Sequence, residues 1–198
     1  MSDEEISRMR NKVKDMFDHG YSGYMRHAFP HDELQPLTCQ GMETWGSYSL
    51  TLIDALDTLV VVGEVEEFNK RAKWVWENIQ FQKDVNVSVF ETNIRVLGGL
   101  LTAHLIYEDR IVDPKSVGYT GQLLELAADL GYRLLKAFET ATGIPYGTVN
   151  LHHGVPKEEI EITSTASGGT FLLEFTMLGR LIGDPVFENT AKRASMGL

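Results

Sequence analysis

The chain has 198 residues, 43% of them hydrophobic and 23% charged, and its 28 acidic against 18 basic side chains give a net charge of −10. That length and mixture suit one soluble globular domain able to bury a real core. The charge excludes a nucleic-acid partner, because gripping phosphates needs clustered Lys and Arg and no basic run occurs.

The N-terminus, MSDEEISRMRNKVKDMF, is polar, lacks the apolar stretch of a signal peptide, and reads over residues 4–18 as an amphipathic helix with Ile6, Met9, Val13 and Phe17 on one side. HDELQPL at 31–37 is less regular, with turn signals at Pro30, Pro36 and Gly41; Asp32 and Glu33 there read most simply as solvent-exposed loop carboxylates. Residues 47–62 form a strongly apolar helix stopped by Gly63, and residues 65–79 its amphipathic partner. Residues 88–107 form a helix containing two glycines. Residues 118–138 form another, with Leu123, Leu126, Leu130 and Leu134 recurring, and residues 143–156 (GIPYGTVNLHHGVP) look like a loop with short extended pieces. Residues 169–182 and 185 to the end complete a further helical pair. No window is apolar for long enough to span a bilayer. The single cysteine, Cys39, has no internal disulfide partner, and Asn86-Val87-Ser88 is an N-glycosylation sequon.

A faint repeat links LDTLVVVGEVEEFNKRA with FTMLGRLIGDPVFENTAKRA: an apolar helix, a glycine-acid turn, then an amphipathic helix bearing phenylalanine. Hairpins repeated in this way stack into a layered or toroidal all-α array.

The candidate chemistry is carboxylate chemistry. On a 3.6-residue wheel, VFETNIRVLGGLL puts Phe90, Ile94, Leu97 and Leu101 on one face and Glu91, Arg95, Gly98 and Thr102 on another. A solvated face would carry long mixed charges; one ion pair followed by small residues suits a cavity wall. Glu91 and Arg95 form either an ordinary i, i+4 pair or a proton donor beside a pocket group. Two adjacent helical glycines cost about 1 kcal/mol each against alanine, so a close neighbour or a ligand must compensate. Asp54 and Asp57 stand in a helix otherwise free of charge; buried carboxylates need partners, and a structural role is the simpler reading, contact with substrate the other. Glu174 repeats the context of Glu91, at the end of a polar trail Ser167, Thr170, Glu174. His152 and His153 lack a third ligand at metal spacing and read as surface residues. Carboxylates around a cavity suit glycoside hydrolysis, which uses an acid and a base across the sugar, and equally suit a sugar-binding groove.

HDELQPLTC, SLTLIDALDTLVVVG, VFETNIRVLGGLL, TGIPYGTVNL and LEFTMLGRLIGDPVFE resemble glycoside hydrolase family 47, and within it the endoplasmic-reticulum degradation-enhancing α-mannosidase-like branch. The resemblance runs from about Val13 to Ala194. It implies an all-α fold, a partial α/α barrel of roughly three of the family's seven helical hairpins, with residues 1–198 as the N-terminal portion of a single catalytic domain. It also implies calcium dependence and inverting cleavage of α-1,2-linked mannose from high-mannose N-glycans on misfolded glycoproteins, in the endoplasmic-reticulum lumen. By that likeness Glu91 is the general acid, Arg95 a pocket residue beside it and Glu174 a substrate-binding residue. Glu33 and Asp54 border the pocket by the same likeness, and the sequon itself makes Asn86 a candidate glycosylation site. The other catalytic carboxylates and the calcium-binding threonine lie, in the family, beyond Leu198. Relatives usually carry cysteine where this chain has Ser164, which leaves Cys39 without that partner. A non-hydrolytic mannose-glycan-binding quality-control factor and an inactive remnant are the competing functions. Helical hairpins bury apolar faces on both neighbours, so a chain with three of them is expected to be helical but prone to aggregate.

Overall fold

The computed structural model describes residues 1–198. Three helical hairpins form two layers. The first pairs α2 (Leu50–Val61) with α3 (Val65–Asn78). The second begins with α4 (Val89–Glu91), continues through a π-helical segment (Thr92–Leu97) into α5 (Gly98–Glu108), and returns as α6 (Gln122–Leu135). After a short α7 (Thr165–Gly169), the third pairs α8 (Leu172–Ile182) with α9 (Pro185–Met196). Helices α2, α5 and α8 are neighbours in one layer, and α3, α6 and α9 pack behind them. This is the arc of an α/α barrel that the sequence leads one to expect.

The internal repeat is real in three dimensions. Both the first and third hairpins turn on a left-handed glycine, Gly63 at φ +87° and Gly183 at φ +74°, a conformation that a side chain disfavours. Each then buries a phenylalanine completely, Phe68 and Phe187. Within the second hairpin His104 Nδ1 lies 2.7 Å from the Tyr119 hydroxyl, and a polar contact ties that hairpin to the first, where the Tyr107 hydroxyl donates to Asn69 Oδ1 on α3 at 2.8 Å.

Two small antiparallel ribbons anchor helix starts. β1 (Glu33–Gln35) pairs with β2 (Gln40–Met42) where the sequence suggested a loop. Asp32, immediately before β1, overturns the expectation of a solvated side chain: none of its surface is exposed. Its Oδ2 accepts the backbone N–H groups of Thr44, Trp45 and Ser47 at 3.2, 2.8 and 2.9 Å. Its Oδ1 accepts those of Tyr48 and Leu50 at 2.7 and 3.3 Å. A buried carboxylate is tolerable when hydrogen bonds replace its water. Here they wrap residues 44–50 around it, with Ser47 and Ser49 held at positive φ, and so aim α2. The second ribbon joins β3 (Asn86–Ser88) to β4 (Thr148–Asn150). It leads straight into α4, whose first turn is capped by Ser88 Oγ accepting from Glu91 N at 3.3 Å.

The N-terminal helix α1 (Asp3–His27) is longer than its periodicity indicated. Its expected apolar face stays in solvent: Ile6, Met9 and Val13 are exposed, and the helix is held instead near its C-terminal end. There the Tyr21 hydroxyl donates to Glu67 at 3.0 Å, and Glu67 also takes Arg71 at 2.6 Å. Lys14 pairs with Glu64.

The glycine pair divides its duties. A Cβ on Gly99 would lie 2.8 Å from Ile53 Cγ2 and 3.0 Å from the Ile53 carbonyl, so Gly99 is what lets α5 approach α2. A Cβ on Gly98 would meet nothing closer than 3.7 Å.

Three measurements follow from these contacts. Gly99→Ala should lower stability by roughly 1–3 kcal/mol through forced overlap, whereas Gly98→Ala should be neutral or gain up to about 1 kcal/mol of helix propensity; chemical denaturation of the two variants checks the contrast. Asp32→Asn turns an amide N–H₂ toward backbone donors and should cost on the order of 3 kcal/mol. Burial holds the His104 imidazole below its ordinary value of 6.5, against the opposing pull of Glu108 and Asp109. A base with a depressed folded pKa takes up its proton more readily when unfolded, so stability should fall as pH drops below 6.5. His104→Gln should flatten that part of a melting-temperature profile.

Candidate active site

The groove-facing layer carries most of the residues that the sequence singled out. A groove of about 290 Å³ runs between α2, the π segment with α5, and α8, and Asp54, Asp57, Arg95, Gly98, Thr102 and Glu174 are among its lining residues. Asp54 and Asp57 are not buried within the apolar helix, as their surroundings had suggested. Both lie on its exposed side, because the opposite side of α2 is filled by Leu52, Ile53, Leu56 and Leu59.

Arg95 links two carboxylates. Its Nε donates to Glu91 Oε2 at 2.6 Å and its terminal nitrogen to Asp54 Oδ2 at 3.3 Å. Glu91 adjoins the groove through this bridge without lining it. The hydrogen bond to Glu91 is the chief cause raising the Arg95 pKa, so the guanidinium holds its proton and charge more firmly. Partial burial raises the Asp54 carboxyl above its ordinary value, more than Arg95 pulls it down, with Asp57 and Glu91 adding like-charge repulsion. The three side chains keep substantial access to water, at 26, 41 and 35% for Glu91, Arg95 and Asp54. Pairs this exposed contribute little to stability, typically below about 1 kcal/mol.

Across the groove, Glu174 on α8 accepts from Asn93 Nδ2 at 2.9 Å. Asn93 escaped the sequence reading although a 3.6-residue wheel sets it between Leu97 and Leu100 on the apolar side, because the carboxylate it meets lies 81 positions further on. Residues 92–97 form a π-helical turn in which Thr92 and Asn93 are buried. Ile94, expected on the apolar face, is instead 37% exposed and lines the groove. Nothing in the residue pattern marks the change of pitch beyond the unusual glycine pair that follows it.

Glu33 does not join the group. It sits on β1, opposite Met42, and is not among the residues lining the groove. Ser167 of the polar trail serves α7, its N–H donating to the capping Ser164 Oγ at 3.1 Å. His152 and His153 are exposed, and Cys39 is exposed and free. A larger hollow of about 510 Å³ lies between residues 139–146, residues 161–165 and Leu198; it contains Glu139 and Glu161 but none of the candidate residues. Calcium needs six to eight oxygen ligands. No three acidic, histidine or cysteine groups converge anywhere to begin such a shell, so the residues present do not by themselves fit that ion. No helix is long and apolar enough to cross a membrane.

Asp54, Asp57 and Glu174 along the groove, with Glu91 beside it through Arg95 and apolar patches at Leu101 and Met177, suit a neutral polyhydroxyl ligand, whose hydroxyls can donate to the carboxylates. Comparison with known proteins gives the same direction. An Arabidopsis thaliana protein named alpha-mannosidase I MNS4 is 54% identical over 195 residues, covering 98% of this chain and 31% of its own length. The Homo sapiens ER degradation-enhancing alpha-mannosidase-like protein 2 is 53% identical over 191 residues, covering 96% of this chain and 33% of its own. The chain thus spans about a third of these relatives. Among solved structures, an alpha-1,2-mannosidase from Trichoderma reesei superposes with a TM-score of 0.83 at 30% identity, over 93% of this chain and 39% of that one. The profile of glycosyl hydrolase family 47 matches residues 16–198, and the chain belongs to that family.

Proposed function

We propose that this chain supplies one wall of the active site of an inverting α-1,2-mannosidase that trims high-mannose N-glycans of misfolded glycoproteins in the endoplasmic-reticulum lumen. The observation that carries the reading is the Glu91–Arg95–Asp54 bridge facing Glu174 across one groove. In this reading Glu91 is the general acid and gives its proton to the glycosidic oxygen as the bond breaks. A positioned acid of this kind contributes about 10²–10⁴ in rate. Arg95 turns donors toward ring hydroxyls or the leaving sugar, while Asp54 and Glu174 accept hydroxyl hydrogens and fix the sugar between α2 and α8. Inversion also requires a second carboxylate to activate water on the far face of the sugar; no residue is assigned to it here. Calcium dependence is implied by the family, and none of these residue roles depends on the ion. Glu33 is omitted from the sugar-binding set because of its place on β1. Asn86 is exposed and is proposed as a glycan acceptor; its Oδ1 accepts from Asn150 Nδ2 at 2.9 Å.

A second reading, a lectin-like quality-control factor that binds mannose-rich glycans without cutting them, is favoured by one feature. The Glu91 Oε2 atom is already occupied by Arg95 at 2.6 Å, which leaves fewer lone pairs for a proton-transfer role. Glu91→Gln in the full-length protein separates the two. The mannosidase reading expects mannose release to fall by at least about a hundredfold with binding and melting temperature retained. Unchanged release removes Glu91 as the acid, and a wild-type protein that binds the glycan but releases no mannose establishes the second reading.

A further inference from the structure

We propose that Asn93 is a positioning residue for Glu174, a polar group kept in the core to hold that carboxylate at the groove wall. This deepens the glycan-site reading above and rests on it. Asn93 has no exposed surface and sits on the π segment. Its Nδ2 donates to Glu174 Oε2 at 2.9 Å across 81 residues of sequence. Its Oδ1 is buried with no hydrogen-bond partner.

The orphaned oxygen is the informative detail. A buried carbonyl stripped of water and left unpaired destabilises the fold, and an apolar side chain such as leucine, of the same branched shape though bulkier, leaves nothing unsatisfied there. Stability therefore argues against asparagine here, and the amide's contribution is its directed donor. Its only recipient is Glu174, which makes no other hydrogen bond and no ion pair. The stem of Glu174 passes over Gly98, where even an added Cβ would be 3.8 Å from Cγ, so packing does not fix the carboxylate's orientation from that side. Asn93 grips Oε2 and leaves Oε1 for a ligand hydroxyl. A π turn carrying a buried, half-satisfied amide is the kind of local irregularity that accompanies a functional site.

The test compares wild type, Asn93→Leu, Glu174→Gln and the double variant in the full-length protein. The readouts are calorimetric affinity for an α-1,2-linked mannose disaccharide, the melting temperature and crystal structures of wild type and Asn93→Leu. The expected result is that Asn93→Leu melts at or above wild type yet binds at least fivefold more weakly. The double variant should bind no more weakly than Glu174→Gln alone, and the Glu174 carboxylate should leave the wall in the Asn93→Leu crystal. Wild-type affinity in Asn93→Leu, losses that multiply in the double variant, or a melting temperature well below wild type would each overturn the assignment. Should Asn93→Leu not fold, the isosteric pair Asn93→Thr and Asn93→Val decides: the hydroxyl donor of threonine should retain affinity that valine loses, and equal affinities count against the proposal. If wild type binds no mannoside, the glycan reading fails. The Glu174 position in the Asn93→Leu crystal then still upholds or overturns the positioning role.

Discussion

The carboxylate of Asp32 is the point from which the groove is built. Five backbone N–H groups between residues 44 and 50 converge on its two oxygens, and its own carbonyl accepts from Thr51 N and Thr51 Oγ1 at 3.0 and 2.7 Å. A single buried charge thus fixes both the loop before α2 and the first turn of that helix. The direction of α2 decides where Asp54 and Asp57 stand. Without that anchor the chain from Thr44 to Ser49, with three residues at positive φ, is held only by the packing of Trp45 and Tyr48 against the core.

Close approach of helices is the second constraint. Gly99 brings the backbone of α5 against Ile53 of α2, and that contact places Arg95 within reach of Asp54. Gly98 leaves the groove floor open beside Glu174. The same two adjacent glycines therefore answer to different physics: one to steric overlap with a neighbouring helix, the other to space for what the groove holds. The π turn just before them carries Asn93 on its buried side and Arg95 on the groove side. The β3–β4 ribbon completes the frame, because Val89 N donates to Gly147 O at 3.0 Å and so ties the start of the Glu91 helix to a segment far along the chain.

Electrostatically the groove concentrates negative charge in a chain that already carries −10. Arg95 offsets two of the four carboxylates and leaves Asp57 and Glu174 without a cation. Such an arrangement repels anions and favours neutral donors, which is the character of a sugar with its many hydroxyls. Folding tolerates the repulsion because these side chains remain partly in water, where like charges interact weakly.

Much of this was legible in the residues themselves. Helical periods, glycine stops at Gly63 and Gly183, and the repeated phenylalanines Phe68 and Phe187 determined three hairpins, since apolar spacing and chain reversal are local properties. The carboxylates of Glu91, Asp54 and Glu174 were also visible, as isolated charges on apolar helices. What the sequence could not determine depended on pitch and on distant partners. Asn93 was missed because its partner Glu174 lies 81 positions on, and a 3.6-residue wheel misplaced Ile94, which stands 37% exposed in the π turn. Asp32 looked like a loop residue because its five donors lie twelve to eighteen positions ahead, and Glu33 looked like its companion although strand pairing sends it to the β1–β2 ribbon. Only the tertiary structure decided these, because the partners that satisfy a buried charge or turn a helix are brought together by packing and not by neighbourhood in the chain.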